Sequence, residues 1–200
     1  LPILLLCSFA YPLLLTGASQ VTMQARANGS LIDKNGNLTT DLTEAVGSEL
    51  LGQRFTEDCF FKGRVSAVNY NTYTKEEAES GAFSGAASGS FNYGSSNPDL
   101  KARIEEDLDA FLAAHPGVTA EEVPADLLTA SASGLDPHIS PQAAEIQIAA
   151  VAEHSGLSEE TVQKIVEENT EHKVLGIFGE ERVNVLKCNL AVAQDRKSVV

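Results

Sequence analysis

The first 25 residues of this chain contain no Asp, Glu, Lys, Arg or His, and this uncharged stretch constrains the fold more than any other feature. As a helix it would be roughly 37 Å long, which exceeds the hydrocarbon core of a bilayer at about 30 Å. Inside a soluble domain so apolar a helix would need burial on all sides. We therefore predict a transmembrane helix in residues 1–25, one folded domain in residues 26–194 and a polar tail in residues 195–200.

A cleaved signal peptide is the alternative to a retained membrane helix. Ala25-Arg26-Ala27 matches the small-x-small pattern of signal peptidase sites, and cleavage after Ala27 would release a secreted domain. The apolar block, however, ends near Ala18, which is early for that cut. We favour the retained helix, and the mature N-terminus distinguishes the two.

Several residues inside the stretch are typical of a helix that packs against others in lipid. Pro12 favours a kinked membrane helix whose neighbours satisfy the freed carbonyl. Gly17, with Ser8 and Thr16, offers the small side chains that helix contacts in lipid favour. Because the chain begins at Leu1 without a methionine, we expect its extreme N-terminus, and the charges that would indicate orientation, to be missing.

Composition excludes some partners and leaves the cysteines open. The 200 residues carry a net charge of −14 and no basic cluster, which argues against nucleic acid and anionic lipid surfaces as partners. Cys59 and Cys188 either form a disulfide or are two small buried thiols, and we favour the thiols. Since no Cys/His pair has metal-ligand spacing, we predict no metal site.

The segments without helical periodicity predict strands, turns and one long loop. Residues 30–37 indicate a short strand and an Asn-Gly turn, and residues 46–55 a strand with a bulge. Residues 59–64 predict a buried aromatic turn, and residues 80–97, rich in Gly and Ser but with three aromatics, an ordered surface loop. Residues 183–192 predict the final strand.

Three helices are indicated by their start signals. Asn97 before Pro98 predicts a helix that ends at residues 115–117. Ser140 starts a second helix through about residue 154, and Ser158 caps a third. These patterns together predict an α/β or α+β domain with a small sheet and about three helices behind one membrane helix.

The stretch 129–141 has two interpretations, of which the first is catalytic. Asp136 would orient His138 as a general base, with Ser131, Ser133 or Ser140 as the nucleophile. Against this, Asp136 and His138 are only two residues apart around a proline, and no other region supplies a Gly-x-Ser-x-Gly elbow.

The second interpretation of the same stretch is structural, and we favour it. Gly134 would take an unusual φ, and Asp136-Pro137 would make a rigid turn. His138 would hydrogen-bond a neighbouring loop, and Ser140 would cap a helix. The stretch then serves structure or an interface, and we predict no catalytic residue in this chain.

The sequence S-G-L-D-P-H-I-S-P at residues 133–141 resembles the signature of the C subunit of the Kdp potassium-transporting ATPase. The resemblance extends along nearly the whole chain in family order, with departures at Val65 and Ala132 and, in the Gly/Ser loop, at Phe91 and Ser95. The other matching positions include Tyr11, Pro12, Thr16 and Gly17 in the first helix, residues 27–31, 46–48 and 52–53, Gly63 and Arg64 with residues 61, 66 and 67, residues 87–90, Asn97 and Pro98, and Gly179, Arg182 and Asn184 within residues 175–190.

The resemblance implies a non-catalytic subunit with a single membrane helix and an extracytoplasmic domain, in a bacterial plasma membrane. Such subunits assemble with a potassium-translocating A subunit, a P-type ATPase B subunit and a small F subunit, and are described as catalytic chaperones that raise the ATP affinity of the B subunit. This chain has no Gly-x-x-x-x-Gly-Lys loop, so we expect ATP, Mg and potassium to be handled by the partner subunits. A secreted binding module and an Asp/His/Ser hydrolase are the alternatives.

Overall fold

The computed structural model describes residues 1–83 and 85–199, in two compact units, Leu1–Leu50 and Leu51–Val200. The first unit contains the apolar helix and a hairpin, and the second contains most of the helices and the larger sheet. The functional boundaries predicted at residues 25 and 194 stay predictions.

The first unit begins with helix α1, Pro2–Thr22, which is long and apolar enough to cross a membrane and is exposed within the chain. Its first part contains a π-helical turn, Leu6–Ala10, where the backbone N–H of Tyr11 donates to the carbonyl of Leu6. The π turn ends two residues before Pro12, which has no N–H to continue the regular ladder. A short helix α2, Gln24–Ala27, follows.

The hairpin of the first unit pairs β1, Leu31–Asp33, with β2, Ala45–Ser48, in antiparallel register. The Asp33 carboxylate accepts the backbone N–H groups of Asn35 and Asn37 at 2.8 and 2.9 Å, so it closes the predicted turn. The strand predicted for residues 46–55 is wrong beyond Ser48. The Ser48 hydroxyl accepts the N–H of Leu50, and this bond turns the chain away from the strand.

The second unit contains more helices than predicted: seven among its described residues, where the sequence indicated about three. Five of them have ten residues or fewer, and the other two have 17 and 15 residues. Their bounds are α3 Lys75–Ser80, α4 Pro98–Ala114, α5 Ala125–Leu128, α6 Pro141–Glu145, α7 Ile148–Ser155, α8 Glu159–Glu168 and α9 Val185–Val199.

The predicted helix starts are confirmed by their capping bonds. Asn97 accepts the N–H of Asp99, and Ser140 accepts that of Ala143. Ser158 accepts the N–H of Thr161 in the same way. Each cap satisfies a donor that the first helical turn leaves free.

The single helix predicted from residue 141 to about 154 is wrong, because Gln147 divides it into α6 and α7. The buried Gln147 side chain donates to the carbonyl of Ala143 at 2.9 Å and thus occupies the acceptor that a continuous helix would use. Its amide oxygen accepts the backbone N–H of Lys62 at 2.7 Å. A buried polar side chain therefore links a distant segment to the helix break.

The sheet of the second unit has three strands in the order β3, β5, β4: β3 is His138–Ile139, β4 is Thr170–Glu171 and β5 is Arg182–Asn184. Both pairings are antiparallel. Of the two predicted classes, the small antiparallel sheet with helices corresponds to α+β.

The final strand predicted over residues 183–192 is wrong after Asn184, where helix α9 begins. The Asn184 side chain accepts the N–H of Lys187 at 3.1 Å and so starts the helix. Residues 185, 188, 189 and 192 are buried, which is helical spacing. The same helix continues through residues 195–199 of the predicted polar tail, and Val200 lies outside the described residues.

The core of the second unit joins α9 to the segment before the sheet. The amide of the buried Asn189 accepts the N–H of Phe61 at 2.8 Å and donates to its carbonyl at 3.0 Å. Cys59 and Cys188 are buried and free, as we favoured, and Cys59 with Phe61 forms the predicted buried turn. Around them pack Val123, Leu127, Ile139, Ala143, Ala144, Val151, Val162, Ile165, Val166, Val183, Val185 and Val192.

Candidate functional site

The segment 131–140, which we call the signature loop, is held by hydrogen bonds to several other segments. Gly52 N–H donates to the carbonyl of Leu135 at 2.8 Å, and Gly89 N–H donates to that of Ser133 at 2.8 Å. The Ser66 hydroxyl donates to the carbonyl of Gly134 at 2.6 Å. The Gly89 contact orders part of the predicted Gly/Ser loop, of which Ser84 lies outside the described residues.

Gly134 is required at its position for two separate reasons. Its φ is +69°, in the left-handed region that side chains other than glycine rarely adopt. A Cβ there would lie 2.7 Å from Cγ2 of Val68 and 2.9 Å from the carbonyl oxygen of Gly89. The unusual φ predicted for Gly134 is thus confirmed.

Asp136 is the charged centre of the signature loop. Its Oδ2 lies 3.0 Å from Nη1 of Arg64, and its Oδ1 accepts the backbone N–H of His138 at 3.0 Å. The His138 side chain, the His138 N–H and Arg64 outweigh the opposing effect of burial and hold the pKa of Asp136 at about 2. The carboxylate is therefore ionised throughout the physiological range.

Tyr70 packs under Asp136 in a strained turn that was not predicted from the sequence. The residues Asn69, Tyr70 and Asn71 all have positive φ, from 48° to 54°. The Tyr70 hydroxyl donates to the carbonyl of Arg64, and burial followed by the Asp136 charge raises the pKa of Tyr70 to about 12. The two flanking asparagines, which tolerate left-handed backbone, were the available sequence signal.

Two glycines make room for the Tyr70 ring. A Cβ on Gly52 would lie 2.6 Å from Cε1 of Tyr70 and 2.6 Å from the carbonyl oxygen of Asp136. A Cβ on Gly63 would lie 3.1 Å from the Tyr70 hydroxyl. We call Gly52, Arg64, Tyr70, Asp136 and His138 the signature cluster.

His138 lies between two carboxylates at the start of the three-stranded sheet. Its Nδ1 is 3.6 Å from Oδ1 of Asp136, and its Nε2 is 3.8 Å from Oε1 of Glu171. Both exceed hydrogen-bond distance, and among the described residues Nε2 has no hydrogen-bond partner. Glu171 also pairs with Arg182 at 2.6 Å, so the cluster extends to the family position Arg182.

The serines of the signature loop are used structurally. Ser140 caps α6, and its hydroxyl donates to Asp126 at 3.2 Å. Ser133 accepts the N–H of Leu135, and Ser131 is buried. Within the described ranges no serine hydroxyl is hydrogen-bonded to His138, so the nucleophile of the hydrolase alternative is not assembled.

The remaining family positions divide between the cluster and other places. The Pro137 carbonyl accepts the N–H of Val185, the first residue of α9, at 3.0 Å, and Asn184 pairs with His138 in the sheet. Asn97 and Pro98 instead start α4. Gly179 follows a separate hairpin and has a φ of +85°.

The membrane-helix positions Tyr11, Pro12, Thr16 and Gly17 are all exposed within the first unit. A Cβ built on Gly17 meets no atom within 4 Å. Their predicted packing role therefore concerns surfaces outside this chain.

One groove of the second unit, of about 530 Å³, lies between α6, α7 and α8. Apolar side chains such as Ile148 and Val166 line it, together with the carboxylates of Glu145, Glu167 and Glu181. Neither Lys nor Arg is among its described lining residues. Its charge disfavours a phosphate-bearing ligand.

The described chain is an α+β protein with one exposed apolar helix of membrane-spanning length and a charged cluster that organises loops. A family model described as "K+-transporting ATPase, c chain" matches residues 1–194. The chain belongs to this family, which confirms the resemblance drawn from the motifs.

Relatives named "Potassium-transporting ATPase KdpC subunit" agree with the family match. The chain is 53% identical over 195 residues to one from Clostridium kluyveri, which covers 98% of this chain and 90% of the relative. It is 53% identical over 197 residues to one from Clostridioides difficile, with 96% and 91% covered. A Bacillus cereus relative is 44% identical over 187 residues, with 94% and 87% covered.

Proposed function

We propose that this chain is a non-catalytic accessory subunit of an ATP-driven potassium uptake complex in a bacterial plasma membrane. The observation that carries the proposal is the family match over residues 1–194, which includes the apolar helix as well as the signature cluster. The subunit contributes assembly and stability to the complex.

We infer that α1 is retained as a single membrane pass and that residues 26–194 form an extracytoplasmic domain. The length and exposed apolar surface of α1 support the membrane pass. The side of the membrane rests on the family resemblance.

The partners in this proposal are the A, B and F subunits of the same complex. Tyr11, Pro12, Thr16 and Gly17 pack against their membrane helices. Support comes from the exposure of these residues and from the π turn before Pro12, because a locally irregular helix in lipid needs neighbours to satisfy its backbone.

The chemistry of ATP, Mg and potassium belongs to the partners. Asp136 is a strongly ionised carboxylate paired with Arg64, which suits a fixed structural anion better than a proton acceptor. The acidic groove lined by Glu145, Glu167 and Glu181 does not favour phosphate. Any increase in the ATP affinity of the B subunit then acts through subunit contacts.

Co-purification of the full chain from membranes tests this function. A tagged chain is extracted in mild detergent together with the pump subunits, and the bound partners are identified by mass spectrometry. We expect the A, B and F subunits to be recovered in fixed ratio, and Gly17→Leu and Pro12→Leu each to lower that recovery several-fold.

Ala18→Leu is the matched control, since it adds a similar side chain at the neighbouring exposed position. Because Gly17 has free space around it in this chain, its substitution leaves the subunit itself intact. Recovery of the chain alone, cleaved after Ala27, would contradict the proposal.

A further inference from the structure

A hairpin between β4 and β5 carries four large apolar side chains in the solvent. Val174, Leu175, Ile177 and Phe178, which we call the apolar tip, are 66%, 84%, 75% and 64% exposed. A contiguous exposed patch of this kind is uncommon on soluble surfaces and marks interaction sites.

The hairpin backbone holds the apolar tip in a defined shape. Val174 N–H donates to the carbonyl of Phe178 at 2.8 Å, and Phe178 N–H donates back to that of Val174 at 3.0 Å. Gly176 N–H closes the turn on Lys173 at 3.0 Å. The tip is thus presented by an ordered turn.

Leu175 is the residue of the tip that is hardest to explain by folding. Its φ is +55°, a conformation that Gly or Asn adopts more easily than Leu. It is also the most exposed member of the tip, so it gains little burial within this chain. A local rule broken without compensation is expected at functional positions.

The charges beside the tip are paired with each other along the two arms of the hairpin. His172 lies 3.0 Å from Glu181, and Lys173 lies 3.8 Å from Glu180. The four side chains of the tip are uncharged, and the two basic residues that precede them each lie beside a glutamate.

We propose that the apolar tip docks into an apolar pocket on a partner subunit of the same complex. This inference rests on the proposed function, which supplies the partner. The exposed tip is on the order of 500 Å², within the range of functional patches but below the roughly 800 Å² that each partner contributes to a standard interface. Because this area alone is too small for a stable complex, the tip needs a partner that a second contact, the membrane helix, already holds nearby.

The same observations disfavour two other binding partners for the tip, an anionic bilayer and a second copy of this chain. An anionic bilayer would repel a chain of net charge −14 whose basic residues next to the tip, His172 and Lys173, each lie beside a glutamate. A second copy of this chain would meet the tip through too small an area for a stable dimer.

The test uses the whole complex, purified with the tagged full chain carrying Leu175→Asn or Leu175→Met. Asn suits the positive φ, so Leu175→Asn keeps the hairpin while it removes the apolar side chain. Met keeps the apolar side chain in the same backbone and is the matched control. A photo-crosslinking residue is placed in parallel at Ile177, with Glu160 on α8 as the control position.

We expect Leu175→Asn to speed dissociation of the subunit about tenfold or more, and Leu175→Met to leave it nearly unchanged. Position 177 should crosslink to one partner subunit, and position 160 should not. Equal dissociation of both variants, or crosslinks from position 177 to lipid or to a second copy, overturns the inference while the proposed function stands. If the unaltered chain recovers no complex, the proposed function fails, and the inference fails with it.

Discussion

Gly134→Ala is the sharpest test of how the signature loop is held. The substitution adds a methyl group that meets Val68 and the backbone of Gly89 at 2.7 and 2.9 Å. Overpacking of this kind costs about 1–3 kcal/mol, and the left-handed backbone at φ +69° costs an alanine about 1–2 kcal/mol more. We expect Gly134→Ala to lower the free energy of unfolding by about 2–5 kcal/mol.

Gly156→Ala separates the two contributions. Gly156 has a φ of +78° but no atom within 4 Å of its built Cβ, so its substitution adds the backbone strain without the crowding. Urea unfolding of the full chain in detergent, followed by circular dichroism, gives both free energies. We expect about 1–2 kcal/mol for Gly156→Ala, and equal losses for the two variants would refute the close packing described around Gly134.

Three further predictions concern titration and thiols. Because the pKa of Asp136 falls from 3.8 to about 2 on folding, its contribution is present above pH 4 and is lost as pH falls toward 2. With partial screening by solvent, this contribution to the free energy of unfolding is about 1–2 kcal/mol. Asp136→Asn should therefore flatten the acid side of the stability–pH profile measured by urea unfolding. An unchanged profile would contradict this. Tyr70→Phe should remove the tyrosine that titrates near pH 12 in the ultraviolet absorbance titration, and should cost about 1–2 kcal/mol by leaving the carbonyl of Arg64 unpaired. Burial raises the pKa of Cys188 to about 12, so this thiol should resist alkylation in the native protein. Denatured, unreduced protein should be alkylated at both Cys59 and Cys188, because both thiols are free. Alkylation of neither would indicate a disulfide between them.

Local signals in the sequence predicted the helix starts because those signals are complete within a few residues. Asn97 and Ser158 each carry the capping oxygen and the first-turn residues that a helix needs. The Asn-Gly turn after β1 was predictable for the same reason. Helix starts and turns can be predicted from the sequence when the hydrogen bonds that form them join residues within four positions of each other.

Elements that depend on distant partners were not readable in this way. Gln147 ends a helix because its side chain, which is held by the backbone of Lys62 85 residues away, occupies the carbonyl of Ala143. The apolar residues after Asn184 fit both a strand pattern and a helix pattern. The helix forms because Asn184 accepts the N–H of Lys187 and Asn189 is bonded to the distant Phe61. Tyr70 entered no prediction, since only the folded chain brings it under Asp136.

The bond between Asn189 and Phe61 has a consequence for biosynthesis. These residues are 128 positions apart, so the amide clamp cannot close until the C-terminal helix has left the ribosome. At about 5–20 residues per second, the segment around Phe61 waits on the order of ten seconds for its partner. Helix α1 leaves the ribosome well before then, and a chain terminated before residue 189 leaves the second unit without the part of α9 that closes on Phe61.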